Sequence, residues 1–137
     1  MFNNPAPAVI KALLQRARSI AVVGLSPQPK RPSHDVARHM QQFGYRVVPV
    51  RPMVEEVLGE KAYASLTEVP FPVDMVNVFR AAEHVPQLVE ECIQIACPAI
   101  WIQQGIVNEE AAQHARQAGL IVVMDRCIYR DYLELMV

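Results

Sequence analysis

Ser19-Ile20-Ala21-Val22-Val23-Gly24-Leu25-Ser26-Pro27-Gln28-Pro29-Lys30-Arg31-Pro32-Ser33 joins a short apolar run to a glycine, a cationic loop and a helix start. A strand apolar on both faces belongs in the middle of a parallel sheet, so the stretch reads as the first strand-to-helix turn of an α/β fold. Such a turn is also where these folds hold phosphate. Gly24 permits close backbone approach to a ligand, Lys30 and Arg31 supply positive charge, and Ser33 is placed to cap a helix whose free N–H groups attract an anion. The loop has one glycine where the dinucleotide fingerprint G-x-G-x-x-G needs three, and no G-K-[ST] follows as a P-loop would require. Two prolines and Pro32 stiffen it, which lowers the entropy lost on binding. Asp35, one turn further on, would repel a phosphate and is expected to point away.

Outward from this turn the pattern repeats. On the amino-terminal side, Phe2-Asn3-Asn4 reads as a flexible start, and Pro5 or Pro7 opens a helix with Val9, Ile10, Leu13 and Leu14 at helical spacing. On the other side a helix over Ser33–Phe43 closes at Gly44, and Arg46–Val50 forms a second strand. Periodicity then fades between Arg51 and Pro72, where a long connection with one helical turn near Val54–Leu58 is expected. Val73–Phe79 is a third strand, Glu83–Ala96 a helix, and Pro98–Gln103 a fourth strand that stops at Gly105. Asn108 caps a helix through Ala118, Leu120–Met124 make the fifth strand, and Asp125 starts a last helix through about Leu135. Strands alternating five times with helices predict an α/β fold, an open, mostly parallel five-stranded sheet with helices on both faces.

Composition bounds the partners. The 137 residues, 52% hydrophobic and 20% charged, suit one domain. A formal net charge of −1 gives no electrostatic case for nucleic acid or a membrane surface, and no apolar run approaches the roughly 18 residues of a membrane span. With no secretory leader pattern and three cysteines in no C-x-x-C pair, the expectation is a cytoplasmic protein with reduced thiols and no structural metal.

Ligands of open α/β sheets lie beyond the carboxyl ends of the strands, which singles out Gly24-Leu25-Ser26, Arg51-Pro52, Phe79-Arg80, Gln103-Gln104-Gly105 and Asp125-Arg126-Cys127. Arg51 stands where an NAD-binding domain carries an acidic residue; an arginine there suits an additional phosphate or is simply solvated. The guanidinium plane of Arg80 could stack on a purine. Gln103 and Gln104 bring two amides to the edge, with Gly105 allowing close approach or merely turning the chain. Cys127 is expected in the first turn of the last helix, whereas Cys92, Cys97 and Trp101 read as core. His34, His39, His84 and His114 fall at helix starts and surfaces without metal-ligand spacing. No nucleophile elbow and no paired acid and base appear, so no catalytic residue is assigned.

The ordered set Val22-Val23-Gly24-Leu25-Ser26, Lys30-Arg31-Pro32-Ser33, Val48-Pro49-Val50-Arg51-Pro52, Val76-Asn77-Val78-Phe79-Arg80, Trp101 to Ala111 and Met124-Asp125-Arg126-Cys127 resembles the small stand-alone CoA-binding protein family. That family is itself similar to the CoA-binding domain of the succinyl-CoA synthetase α subunit. The resemblance covers about residues 8–135. It implies a single Rossmann-like CoA-binding domain over 1–137, with an N-terminal helix over about 5–18 and the core over about 19–137. It further implies coenzyme A or an acyl-CoA as ligand. Gly24, Leu25 and Ser26 would face the phosphates and Lys30, Arg31, Pro32 and Ser33 would form the charged loop. Val78, Phe79 and Arg80 would line the adenosine side, and Gln103, Gln104, Gly105 and Ile106 the pantetheine side. Arg51 departs from the Asn that the family often shows before Pro52, and is placed to reach the 3′-phosphate. The synthetase's phosphohistidine and second domain have no counterpart, so its ligase activity is not implied. Two other readings stay open: an NADP-dependent oxidoreductase with Arg51 on the 2′-phosphate, and a regulatory subunit using the fold as a surface for itself or another protein.

Overall fold

The computed structural model describes residues 1–137. Five strands form one all-parallel sheet: β1 (Ser19–Val23), β2 (Arg46–Val50), β5 (Met75–Val78), β6 (Ala99–Gln103) and β7 (Ile121–Arg126), in the order β2-β1-β5-β6-β7. The fold is α/β and Rossmann-like. From β1 the chain goes to one side for β2 and returns to the other for β5, so strand order switches at β1 and β5. Their side chains alternate between two cores. Ala21, Val23, Val76, Val78, Ile100 and Ile102 pack under α3 (Val85–Gln94) and α4 (Glu109–Gln117). Ile20, Val22, Met75, Trp101 and Val123 pack under α1 (Pro7–Arg16), α2 (Pro32–Gln42) and α5 (Ile128–Met136). Both faces are thereby covered, which is why these strands carry no polar stripe. None of the helices is long and apolar enough to cross a membrane.

Three expectations are corrected. Val54–Leu58 does not form a helical turn; β3 (Glu56–Val57) and β4 (Glu60–Lys61) make an antiparallel hairpin, followed by a 3-10 turn over Leu66–Glu68. Leu58 and Gly59 both take left-handed angles, φ 55° and 77°, as a two-residue hairpin loop demands. Second, Phe2-Asn3-Asn4 is anchored. Phe2 is buried in the α3–α4 core beneath the Arg116 guanidinium, and the Asn4 side chain accepts from Met124 N at 2.8 Å while donating to Met124 O at 2.9 Å. Third, β7 continues through Asp125 and Arg126, so α5 begins at Ile128 and Cys127 is its N-cap rather than a first-turn residue.

Candidate functional site

The end of β1 meets the end of β5 without a gap. A Cβ placed on Gly24 would lie 2.5 Å from the Phe79 carbonyl oxygen, and the residue holds φ at 87°. The absent side chain thus serves the contact between neighbouring strands at the switch point. Gly24 N donates to Val50 O and Phe79 N to Val23 O, both at 2.9 Å, extending the ladder to this edge.

The loop that follows is built around a helix start with unused donors. Ser33 does not cap α2: the N-cap is Arg31, which makes no side-chain cap bond. The Ser33 hydroxyl instead accepts from Ser26 N at 3.0 Å, and the Ser26 hydroxyl accepts from Gln28 N at 3.1 Å. With Pro32 lacking a donor and the helix uncapped, the Ser33 and His34 N–H groups have no backbone partner. Lys30, Arg31 and Pro32 are exposed beside them, and neither cation is paired with a carboxylate. Asp35 is engaged by Arg38 at 2.8 Å. An uncapped helix start with two unpaired cations beside it is able to hold an anion. His34 lies at a helix start as expected but is buried there, 8% exposed, and its Nδ1 has no partner.

Two cavities of about 560 Å³ each open on this edge, one on either face of the sheet, and Phe79 lines both. The first collects Gly24, Arg51, Pro52, Phe79 and Arg80 at the switch point. Ser65 and Leu66 from the connection, with His84 and Glu91, complete its wall. Arg51 Nη1 donates to Gly24 O at 3.1 Å, so this guanidinium stands at the mouth.

The second cavity lies between α2 and α5 and collects Pro32, Val36, Phe79, Gln103, Gln104 and Ile106 with Cys127, Tyr129 and Arg130. Stacked rings hold its two helices together, His39 on Tyr129 at 4.1 Å and Phe43 on Tyr132 at 3.9 Å between centroids. Outside the cavity, the Arg126 guanidinium at the end of β7 grips the buried Asp131 carboxylate of α5 at 2.6 and 2.7 Å. Those hydrogen bonds hold the Arg126 pKa above its ordinary range. Beside Gln104, Gly105 takes φ 88° and its N–H donates to Asp125 Oδ1 at 2.8 Å, joining the turn after β6 to the end of β7.

The structure therefore brings Gly24, Arg51, Phe79 and Arg80 together on one face and Pro32, Gln103, Gln104 and Ile106 on the other. Leu25 and Val78 are sealed in the two cores, so their side chains do not reach the edge. Sequence reasoning missed Ser65, His84, Tyr129 and Arg130 as lining residues. Nothing between Arg51 and Pro72 signals that this segment folds back over the first cavity. Tyr129 and Arg130 follow once α5 is started at Ile128.

A family model described as a CoA binding domain matches residues 18–132. The chain is 50% identical over 127 residues to the uncharacterized protein YneT of Bacillus subtilis, covering 93% of this chain and 94% of that one. It is 38% identical over 122 residues to the ADP-forming acetate–CoA ligase II subunit alpha of Pyrococcus furiosus, covering 81% of this chain but only 27% of that subunit. A hypothetical protein from Pyrococcus horikoshii OT3 superposes with a TM-score of 0.94 at 34% identity, over 100% of this chain and 99% of that one. With its sheet edge, its uncapped helix start and these likenesses in agreement, the chain belongs to the CoA-binding domain family.

Proposed function

We propose that this protein binds coenzyme A, or an acyl-CoA, across the carboxyl edge of its sheet. The observation that carries the reading is the pair of cavities meeting at Phe79, with a cationic, uncapped helix start beside them. A nucleotide with a long flexible arm needs two such compartments and an anion site near them. Adenosine fits the first cavity, where Arg80 and Phe79 offer planar surfaces and Arg51 a charge for the 3′-phosphate. The pyrophosphate fits the Ser33 and His34 N–H groups with Lys30 and Arg31. Pantetheine fits the second cavity, past Gln103, Gln104 and Ile106. Three free cysteines favour a reducing, cytoplasmic setting for such a carrier or sensor.

Calorimetric titration with CoA, dephospho-CoA and NADPH tests the reading. Tight CoA binding, weaker binding of dephospho-CoA and little of NADPH are expected. No response to either CoA form, or a preference for NADPH, overturns it.

A further inference from the structure

The first cavity is polarised along its length. Arg51, Arg80 and Glu91 all line it, yet none of the three forms an ion pair, either with each other or with any other side chain. The two guanidiniums belong to the residues just beyond β2 and β5, where Arg51 holds the Gly24 carbonyl oxygen at 3.1 Å. Glu91 stands elsewhere. It lies in the second turn of α3, about 9 Å along the helix axis from Val85. Leu88, three residues earlier, shares its face of the helix, and Leu66 and Phe79 complete an apolar stretch of wall. Glu91 is half-buried, and its Oε2 accepts only from Gln87 Nε2 within the same helix, at 3.2 Å. Oε1 has no protein donor. The nearby Ser65 hydroxyl does not supply one, because it is turned to Thr67 and Glu68, each at 3.2 Å. A carboxylate can only accept, so a ligand group that pairs with Glu91 has to bring an N–H or O–H of its own.

A ligand matching this cavity is anionic at one end, flat and apolar in the middle, and a donor at the far end. Adenosine with a 3′-phosphate has that order: the phosphate on the ribose, the ring, and then the exocyclic amine. Resting on the CoA reading above, we propose that Glu91 is the specificity residue for the base, its carboxylate accepting from the 6-amino group of adenine. The contact is a charge-assisted hydrogen bond in a partly desolvated site, and a base without those hydrogens would leave the carboxylate facing a group that cannot donate. Discrimination then comes from the mismatch as much as from the bond.

Calorimetric titration with CoA and with etheno-CoA tests the assignment. In the second ligand a two-carbon bridge joins the 6-amino nitrogen to the neighbouring ring nitrogen, which removes both amine hydrogens and leaves the phosphates and pantetheine unchanged. The unmutated protein should bind CoA about tenfold tighter than etheno-CoA, the worth of one charge-assisted hydrogen bond. Glu91→Gln keeps the size of the side chain without its charge, and should narrow the ratio to about threefold. Glu91→Ala should abolish it, with the affinity for CoA falling to about that of the etheno form. Equal binding of the two ligands by the unmutated protein overturns the inference. So does a ratio that stays tenfold in Glu91→Gln, which would mark a clash with the bulkier ring. CoA that binds while ignoring the change of base rejects only the role of Glu91, whereas CoA that does not bind rejects the reading beneath it.

Discussion

The Arg51 guanidinium donates to the Gly24 carbonyl oxygen at 3.1 Å and so ties the end of β2 to the end of β1 at the mouth of the first cavity. The bond is partly exposed and contributes little to folding. Arg51→Ala is expected to cost no more than about 1 kcal/mol in chemical denaturation. The same substitution should weaken CoA about tenfold in calorimetry, because a charge-assisted contact to phosphate is lost. Dephospho-CoA should lose much less, and an equal loss for both ligands would place Arg51 elsewhere than at the 3′-phosphate.

Gly24→Ala is expected to destabilise by about 2 to 4 kcal/mol in thermal or urea unfolding. The added Cβ would meet a backbone oxygen at 2.5 Å, and that atom belongs to a neighbouring strand that cannot swing aside. Gly105→Ala is the control, with φ 88° but open space around the Cβ, and should cost only about 1 kcal/mol. Similar costs at the two positions would show that backbone angle, not strand contact, fixes Gly24.

Replacing Arg126 by Met strands the Asp131 carboxylate, which is 3% exposed and loses its two-pronged partner. A cost of about 3 kcal/mol in urea unfolding is expected. Adding Asp131→Leu should restore much of it, since an apolar pair needs no partner charge. A double variant no more stable than Arg126→Met would contradict this account.

Stability should fall as pH rises above about 9. Burial pushes Tyr45 up from 10.0 to about 12 and Cys97 up from 9.0 to about 11, and pushes Cys92 in the same direction. Each group deprotonates first in the unfolded chain, which then binds fewer protons than the folded one, so this contribution is whole below pH 9 and shrinks above it. Urea unfolding at about pH 8, 9.5 and 10.5 measures the decline. Tyr45→Phe should flatten the part of the curve above pH 10, and a curve flat throughout refutes the assignment.

The sheet was legible because Ser19–Val23, Met75–Val78 and Ala99–Gln103 are near-continuous apolar runs, the pattern of a strand covered on both faces, with Asn77 as the polar exception inside one. Asn108 was legible as a cap and accepts from Ala111 N at 3.0 Å as its position demands. Ser33 was not, because its hydroxyl is recruited by Ser26 N across seven residues, a competition that local capping rules do not contain. Phe2 and Asn4 were hidden for the same reason, since their partners lie beyond residue 110. The hairpin at residues 56–61 depends on Leu58 accepting a left-handed angle that its side chain does not advertise. At the candidate site, strand-end residues followed from topology. The division of those residues between two faces required the pleat to be seen, because Arg80 and Gln103 stand at similar edges yet line different cavities.

The Asn4 amide does what a neighbouring strand would do, occupying the main-chain N–H and C=O of Met124 on the outer side of β7. At the opposite margin, Tyr63 N donates to Pro49 O and Arg51 N to Tyr63 O, laying the residues after the hairpin along β2. Each flank of the sheet thus carries a stopper made from the chain itself. Deleting the first four residues would bare the Met124 N–H and C=O on the outer side of β7. Strand-by-strand pairing of another chain at Met124 or Pro49 would first have to displace these stoppers.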